Sequence, residues 1–257
     1  MENIHKDVAI VTGSSSGIGR AIAIALARKG VKVALVARDA KKLEEVKKII
    51  EKSGGESIVV AQDLMIENSV LSIIECVQKK LGAINILVNA AGRVAMGGID
   101  KINMKLWKSV IHLNLTIPYE FIHYLLPEMK EHERGWIFNI SSEIGSRAIQ
   151  YSGVYGVSKA ALNRLSEILD LDVSEFGIHI YSLCPGWVNT KLAIDPSLLG
   201  VDKNEILQPE QIAKIITDLY EINNYKLSTI LKITPMDHNV STENSTRKFF
   251  ELNKHLV

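Results

Sequence analysis

Short β-branched runs alternate along this chain with longer stretches whose apolar positions recur at helical spacing. The runs fall at 8–11, 31–36, 57–61, 84–88, 136–140, 178–183 and 229–233. The amphipathic stretches fall at 17–29, 40–52, 67–80, 104–131, 154–176 and 209–222. The first pattern predicts strands and the second predicts helices. Their alternation implies βαβ crossovers, so the expected fold class is α/β: a doubly wound parallel sheet with helices on both faces. No low-complexity linker or solenoid-type repeat divides the sequence, and 1–257 reads as a single domain. The least regular stretch, 191–207, lies between a strand and a helix and is expected to form a substrate lid. The polar tail after Pro235 gives no assignment.

Composition narrows the functional classes. The chain has 257 residues, 47% hydrophobic and 23% charged, with a formal charge of +1. That balance argues against general capture of nucleic acid or anionic membrane. Basic pairs such as Lys41–Lys42 and Lys79–Lys80 are interleaved with Glu44, Glu45 and Glu75, as on a solvated helix face. Cys76 and Cys184 are far apart in apolar surroundings and read as buried thiols. The seven histidines lack metal-ligand spacing, so no metal site is expected. No apolar run reaches membrane-spanning length, and no apolar signal core follows Met1. The expected setting is cytoplasmic.

The first strand ends in Thr12, Gly13, Ser14, Ser15, Ser16, Gly17, Ile18 and Gly19. Glycines let such a turn tighten and let backbone N–H groups approach a pyrophosphate, and the following helix N-terminus adds partial positive charge. The serine hydroxyls offer further hydrogen bonds to phosphate or ribose. The second strand closes on Ala37, Arg38 and Asp39. An acid about 20 positions after the turn would hold a ribose 2′-hydroxyl, and Ala37 cannot. Arg38 can pair with a 2′-phosphate through its planar fork. Asp39 precedes a helix and is better explained as its N-cap, although it could instead serve the ribose. The expected cofactor is NADP(H).

Tyr155 and Lys159 are four residues apart, with Ser142 thirteen residues upstream. On a helix, positions i and i+4 share one face. A free phenol titrates near about 10, and a fixed ammonium beside it would pull that value down. Pro118, inside the 104–131 stretch, has no N–H to give the carbonyl four residues earlier, which belongs to Asn114. A kink there with an ordered water at the Asn114 carbonyl is expected.

Together these segments resemble the short-chain dehydrogenase/reductase family over nearly the whole chain. The resemblance rests on the 12–19 turn, Asp63–Leu64, Asn89–Ala90–Ala91–Gly92, Asn114, Ser141–Ser142, Tyr155 with Lys159, and 185–190. It implies a seven-stranded Rossmann-like sheet. It also implies that Tyr155 is the general acid or base, that Ser142 polarises the carbonyl, and that Lys159 binds the nicotinamide ribose. Ser141 is the rival of Ser142, with the spacing to Tyr155 favouring Ser142. Asn114 would hold a relay water. Asp63 and Leu64 would meet adenine, and Asn89, Ala90 and Gly92 would line the cofactor site. Pro185, Gly186, Val188 and Thr190 would flank the nicotinamide, Thr190 and the Val188 backbone at its carboxamide.

The implied activity is NADP(H)-dependent interconversion of a small carbonyl and a secondary alcohol. The alternatives are a non-catalytic dinucleotide-binding regulator and, within the enzyme class, a 3-oxoacyl reductase. The segment 230–236 departs from the Val-Asp-Gly-Gly-like close of acyl-carrier-protein reductases, which weakens the last of these. Arg93, Met96, Glu143, Arg147, Gln150, Tyr151 and Trp187 are the substrate-pocket candidates. Arg147 would pair with a substrate carboxylate or lie solvated, and Trp187 would wall the pocket or pack in the core. The family's usual dimer contact is built on the 104–131 and 154–176 helices, so a homodimer or homotetramer is expected.

Overall fold

The computed structural model describes residues 7–190, 206–222 and 227–234. Seven parallel strands form one sheet: β1 (Val8–Thr12), β2 (Lys32–Ala37), β3 (Ser57–Ala61), β4 (Ile86–Asn89), β5 (Gly135–Ile140), β6 (Ile178–Pro185) and β7 (Ile230–Ile233). Their spatial order is β3-β2-β1-β4-β5-β6-β7. The order reverses between β1 and β4, and ligands of open α/β sheets bind in the crevice at such a switch point. The expected lid segment lies outside the described residues except at its end. There Ile206 and Leu207 are buried, and Leu207 bridges Val188.

Alternate residues of each strand feed two apolar layers. Ala9, Val11, Val33, Leu35, Ile86 and Val88 pack against helices α1 (Gly17–Arg28), α2 (Ala40–Lys52) and α8 (Pro209–Glu221). Val8, Ile10, Ala34, Val36 and Leu87 face α3 (Ser69–Leu81), α5 (Ile117–Glu131) and α7 (Gly153–Val173). Burial on both faces explains why the strands read as apolar runs. Two further helices complete the fold: α4 (Met104–Ile111), which packs on α7, and the short α6 (Glu143–Ser146), which packs on α7 and β6.

The stretch expected as one helix over 104–131 is broken. Asn103 caps α4 by accepting from the Leu106 N–H at 2.9 Å. His112–Thr116 then forms a π-turn in which the Ile117 N–H bonds the His112 carbonyl, five residues back. Pro118 falls in the first turn of α5, where its missing N–H does little harm. The wide turn is how the chain accommodates a proline that cannot donate to Asn114.

At the opposite edge of the sheet, Asp7 is buried and accepts two bonds from Arg134, at 3.0 and 2.7 Å, and one from the Tyr220 hydroxyl at 2.6 Å. This ties β1, β5 and α8 together. Asp7→Ala removes charge-assisted bonds and strands a phenol, so urea denaturation should show a loss of about 2 kcal/mol.

Candidate active site

The glycine turn sits at the switch point. Gly13 has a left-handed φ of 69°, and a Cβ there would lie 2.9 Å from the Ala91 nitrogen. A side chain would therefore block the contact between the β1 and β4 turns. Gly17 opens α1 at φ 53°, and a Cβ on it would press Thr190 Cγ2 at 3.1 Å. The 12–19 turn and Thr190 thus close on one space. The first turn of α1 carries no acidic residue, so its N-terminal dipole is uncompensated. Gly19 and Ile18 lie on that first turn. This cradle fits a pyrophosphate.

The serines divide by environment. Ser14 is fully buried, and both its N–H and its hydroxyl point to the Val36 carbonyl, at 3.3 and 3.4 Å. It braces the turn against β2. Ser15 is half-buried and Ser16 exposed, and the Ser16 hydroxyl makes no cap to α1. Arg38 is exposed just past the end of β2. Asp39 caps α2, accepting from the Lys42 N–H at 3.2 Å, and its carboxylate pairs with Lys42 Nζ at 2.9 Å. That hydrogen bond to Lys42 holds the Asp39 carboxyl below its ordinary value. The capping role expected for Asp39 is the one observed.

Asp63 accepts from the Met65 N–H at 3.0 Å, shaping the turn after β3, while Leu64 packs in the core. Asn89 is buried at the end of β4 and donates to Asn139 Oδ1 at 2.8 Å. Asn139 in turn donates to Ser166 on α7 at 2.9 Å. Ala90 and Ala91 N–H groups both reach Thr12 Oγ1, at 3.0 and 3.1 Å, so the Thr12 hydroxyl locks the β4 turn beside the glycine turn. Thr12 is a structural residue of the site whose role no motif in the sequence marks. Its signal is a hydroxyl ending an otherwise apolar strand. On the other side, the Gly186 N–H bonds the Ile233 carbonyl at 2.9 Å, and Pro185 closes β6. Val188 bridges Leu207 and the Asn189 N–H bonds the Leu207 carbonyl at 2.8 Å, which fixes the loop carrying Thr190.

Ser142 N-caps α6, accepting from the Ile144 N–H at 3.3 Å, and its side chain lies close enough to the Tyr155 phenol to lower its pKa. Ser141 instead donates to the Lys159 carbonyl at 3.2 Å. Lys159 is buried, its Nζ donating to the Ile140 carbonyl at 2.7 Å and lying 5.8 Å from the Tyr155 ring centroid. Asn114 is fully buried, and its amide clamps the Arg93 backbone at 2.8 and 3.0 Å. A Cβ on Gly92 would lie 3.4 Å from Asn114 Oδ1 and 3.7 Å from Lys159 Nζ, so these three residues are neighbours. The structure therefore brings Asn114, Ser142, Tyr155 and Lys159 to one edge of the switch-point crevice.

The electrostatics differ from the sequence-based expectation. Burial pushes the Tyr155 phenol above its ordinary value, the Ser142 hydrogen bond opposes that, and the Cys184 thiol adds to the rise. Tyr155 keeps partial exposure at the cleft, so solvent moderates the shift. Burial also lowers Lys159 to about 8, with Cys184 opposing. The ammonium that was expected to depress the phenol is itself weakened by the same dry environment.

On the substrate side, Arg147 pairs with Glu143 at 2.7 Å, so its charge is already met within the chain. Tyr151 adopts a left-handed φ of 64°, and its carbonyl accepts from the Gly97 N–H at 2.8 Å. The Tyr155 N–H reaches the Ala95 carbonyl at 3.3 Å. The 93–98 loop, which includes Met96, is thereby stitched to the start of α7. Trp187 is half-buried and its buried indole N–H meets no partner among the described residues. Among the described residues no cluster could hold a metal ion, and no helix is long and apolar enough to cross a membrane.

Comparison with known proteins places the chain. The family model described as short chain dehydrogenase matches residues 7–197, and the chain belongs to that family. An uncharacterized oxidoreductase of Staphylococcus saprophyticus is 35% identical over 216 residues, covering 83% of this chain and 91% of that protein. One from Staphylococcus aureus strain USA300 is 31% identical over 227 residues, covering 88% and 95%. Among solved structures, a metagenomic short-chain oxidoreductase in complex with NADP is 30% identical with a TM-score of 0.77, covering 90% of this chain and 98% of its own. An actinorhodin polyketide ketoreductase variant with NADPH is 26% identical with a TM-score of 0.83, covering 93% and 100%. An alcohol dehydrogenase of Thermococcus sibiricus, at 24% identity and a TM-score of 0.81, shares the fold.

Proposed function

We propose that the protein is an NADP(H)-dependent oxidoreductase that interconverts a small carbonyl compound and a secondary alcohol. The observation that carries this reading is the convergence of the Ser142 hydroxyl, the Tyr155 phenol and Lys159 beside the glycine cradle. In the direction of reduction, Ser142 and Tyr155 donate hydrogen bonds to the carbonyl oxygen as negative charge develops there. Tyr155 then gives its proton to that oxygen. The raised phenol keeps the proton available at neutral pH, which suits reduction. Lys159 supplies positive charge to the phenolate left behind, and Asn114 holds the relay water that reprotonates it. Bound NADPH supplies the hydride. A substrate screen that follows NADPH absorbance tests the reading. Reduction of at least one carbonyl is expected, and inertness toward the whole panel would leave a dinucleotide-binding regulator.

The Ser15–Ser16 turn and the N-terminus of α1 would hold the pyrophosphate, and Arg38 the 2′-phosphate. The capping duty of Asp39 and the NADP and NADPH bound by two structural relatives support this preference. Arg38→Ala should weaken NADPH binding by roughly 10- to 100-fold while leaving NADH binding nearly unchanged. Calorimetric titration of both cofactors checks it, and equal losses for the two would assign Arg38 no role at the phosphate. A 3-oxoacyl substrate is the second reading, supported by the likeness to a polyketide ketoreductase. Exposed Tyr119 and Tyr124 on α5, with Val157, Ile168 and Leu171 on α7, offer an apolar face for a homodimer or homotetramer.

A further inference from the structure

Ser158 lies on α7 between Tyr155 and Lys159 and is fully buried. Its hydroxyl is the middle link of a hydrogen-bonded chain with only one possible direction. The Asn114 amide cannot be turned around, because the Arg93 N–H must meet Oδ1 at 2.8 Å and the Arg93 carbonyl must meet Nδ2 at 3.0 Å. The other Nδ2 hydrogen then points to Ser158 Oγ at 3.0 Å. A hydroxyl that accepts there has one proton to give, and it goes to the Tyr155 carbonyl at 2.7 Å. The π-turn thus reaches, through one side chain, the helical turn that carries the phenol.

We infer that Ser158 is a positioning residue for proton transfer at Tyr155, fixing the first turn of α7 to the π-turn around Asn114. The inference rests on the reading of Tyr155 as the proton-transfer group. A serine that bonds back onto its own helix competes for a backbone carbonyl and bends the helix locally. Ser158 does this at the carbonyl of the residue whose side chain reacts. The same amide lies beside Lys159 across Gly92, so one contact sets the spacing of Asn114, Tyr155 and Lys159. Small misplacements of a reacting group are expensive in rate. Ser158→Ala therefore lowers kcat about tenfold while the KM for NADPH stays near its original value.

The decisive readout is the ultraviolet titration of Tyr155 itself. It is obtained as the difference between each protein and its Tyr155→Phe counterpart, without added cofactor. Among the described residues, the titratable groups facing the phenol are Lys159 on its own helix and Cys184 at the end of β6, and both are present in every protein compared. Loosening the turn admits water to the phenol, so the Ser158→Ala midpoint is expected to move down toward the ordinary value. Ser158→Cys puts a slightly larger group with a much weaker hydrogen bond at the site, and because an added thiolate could only raise the phenol, a fall in the midpoint reports the same loosening if the alanine protein does not fold. An unmoved midpoint in a folded variant overturns the inference, whatever happens to its melting temperature. If the unaltered enzyme reduces no carbonyl, the proposed function fails, and the titration still decides the role of Ser158.

Discussion

Tyr155→Phe is expected to fold normally, bind NADPH as tightly as the unaltered protein, and lose turnover by roughly 10²- to 10⁴-fold. The ring packs as before and only the proton donor disappears. Ser142 remains as a donor to the carbonyl, which is why residual activity is expected instead of none. Single-turnover oxidation of NADPH with a reactive ketone separates the chemical step from binding. A variant within twofold of the original rate would show that the proton comes from another group.

Lys159→Met is expected to act on catalysis and on stability in opposite ways. Turnover should fall by about 10²-fold, because the phenolate loses its nearby cation, and NADPH binding should weaken as well. Stability carries a separate signature. Burial lowers Lys159 from 10.5 to about 8, so between those values the unfolded chain holds a proton that the folded one has released. Stability from this group therefore rises as pH increases through that window, and below it a penalty on the order of 3 kcal/mol is fully present. Urea denaturation of the unaltered protein without added cofactor should show that rise. The methionine variant should lose this contribution. An identical slope in both proteins would mean that Lys159 is not strained by burial. A site that places an ammonium where it destabilises the fold is spending stability on function.

Most of the architecture is legible in the sequence because the central strands are buried on both faces and the edge strands β3 and β7 partly so. Their β-branched runs stand out from the amphipathic helices between them, and each of the seven runs coincides with a strand to within a few residues. The N-cap at Asp39 is equally local, since it needs only the i to i+3 geometry observed with Lys42. What the sequence does not reveal depends on partners far along the chain. Pro118 signals a disturbance, but not its form, a five-residue bond from the Ile117 N–H to the His112 carbonyl. The inward turn of Ser14 depends on Val36, and Ser158 meets Asn114 across 44 residues. The rise at Tyr155 depends on how dry the crevice is, which no spacing of residues reports. Arg147 is the exception: its partner Glu143 is four residues away and could have been read from the sequence.

The central claim is that the phenol at position 155 exchanges a proton with the substrate oxygen. A crystal structure with NADPH and an unreactive alcohol or ketone analogue tests it most directly. The account predicts the Tyr155 hydroxyl about 2.6–3.2 Å from the analogue's oxygen, with Ser142 on the same atom. A phenol turned away from that oxygen, with the analogue still beside the nicotinamide, would contradict it.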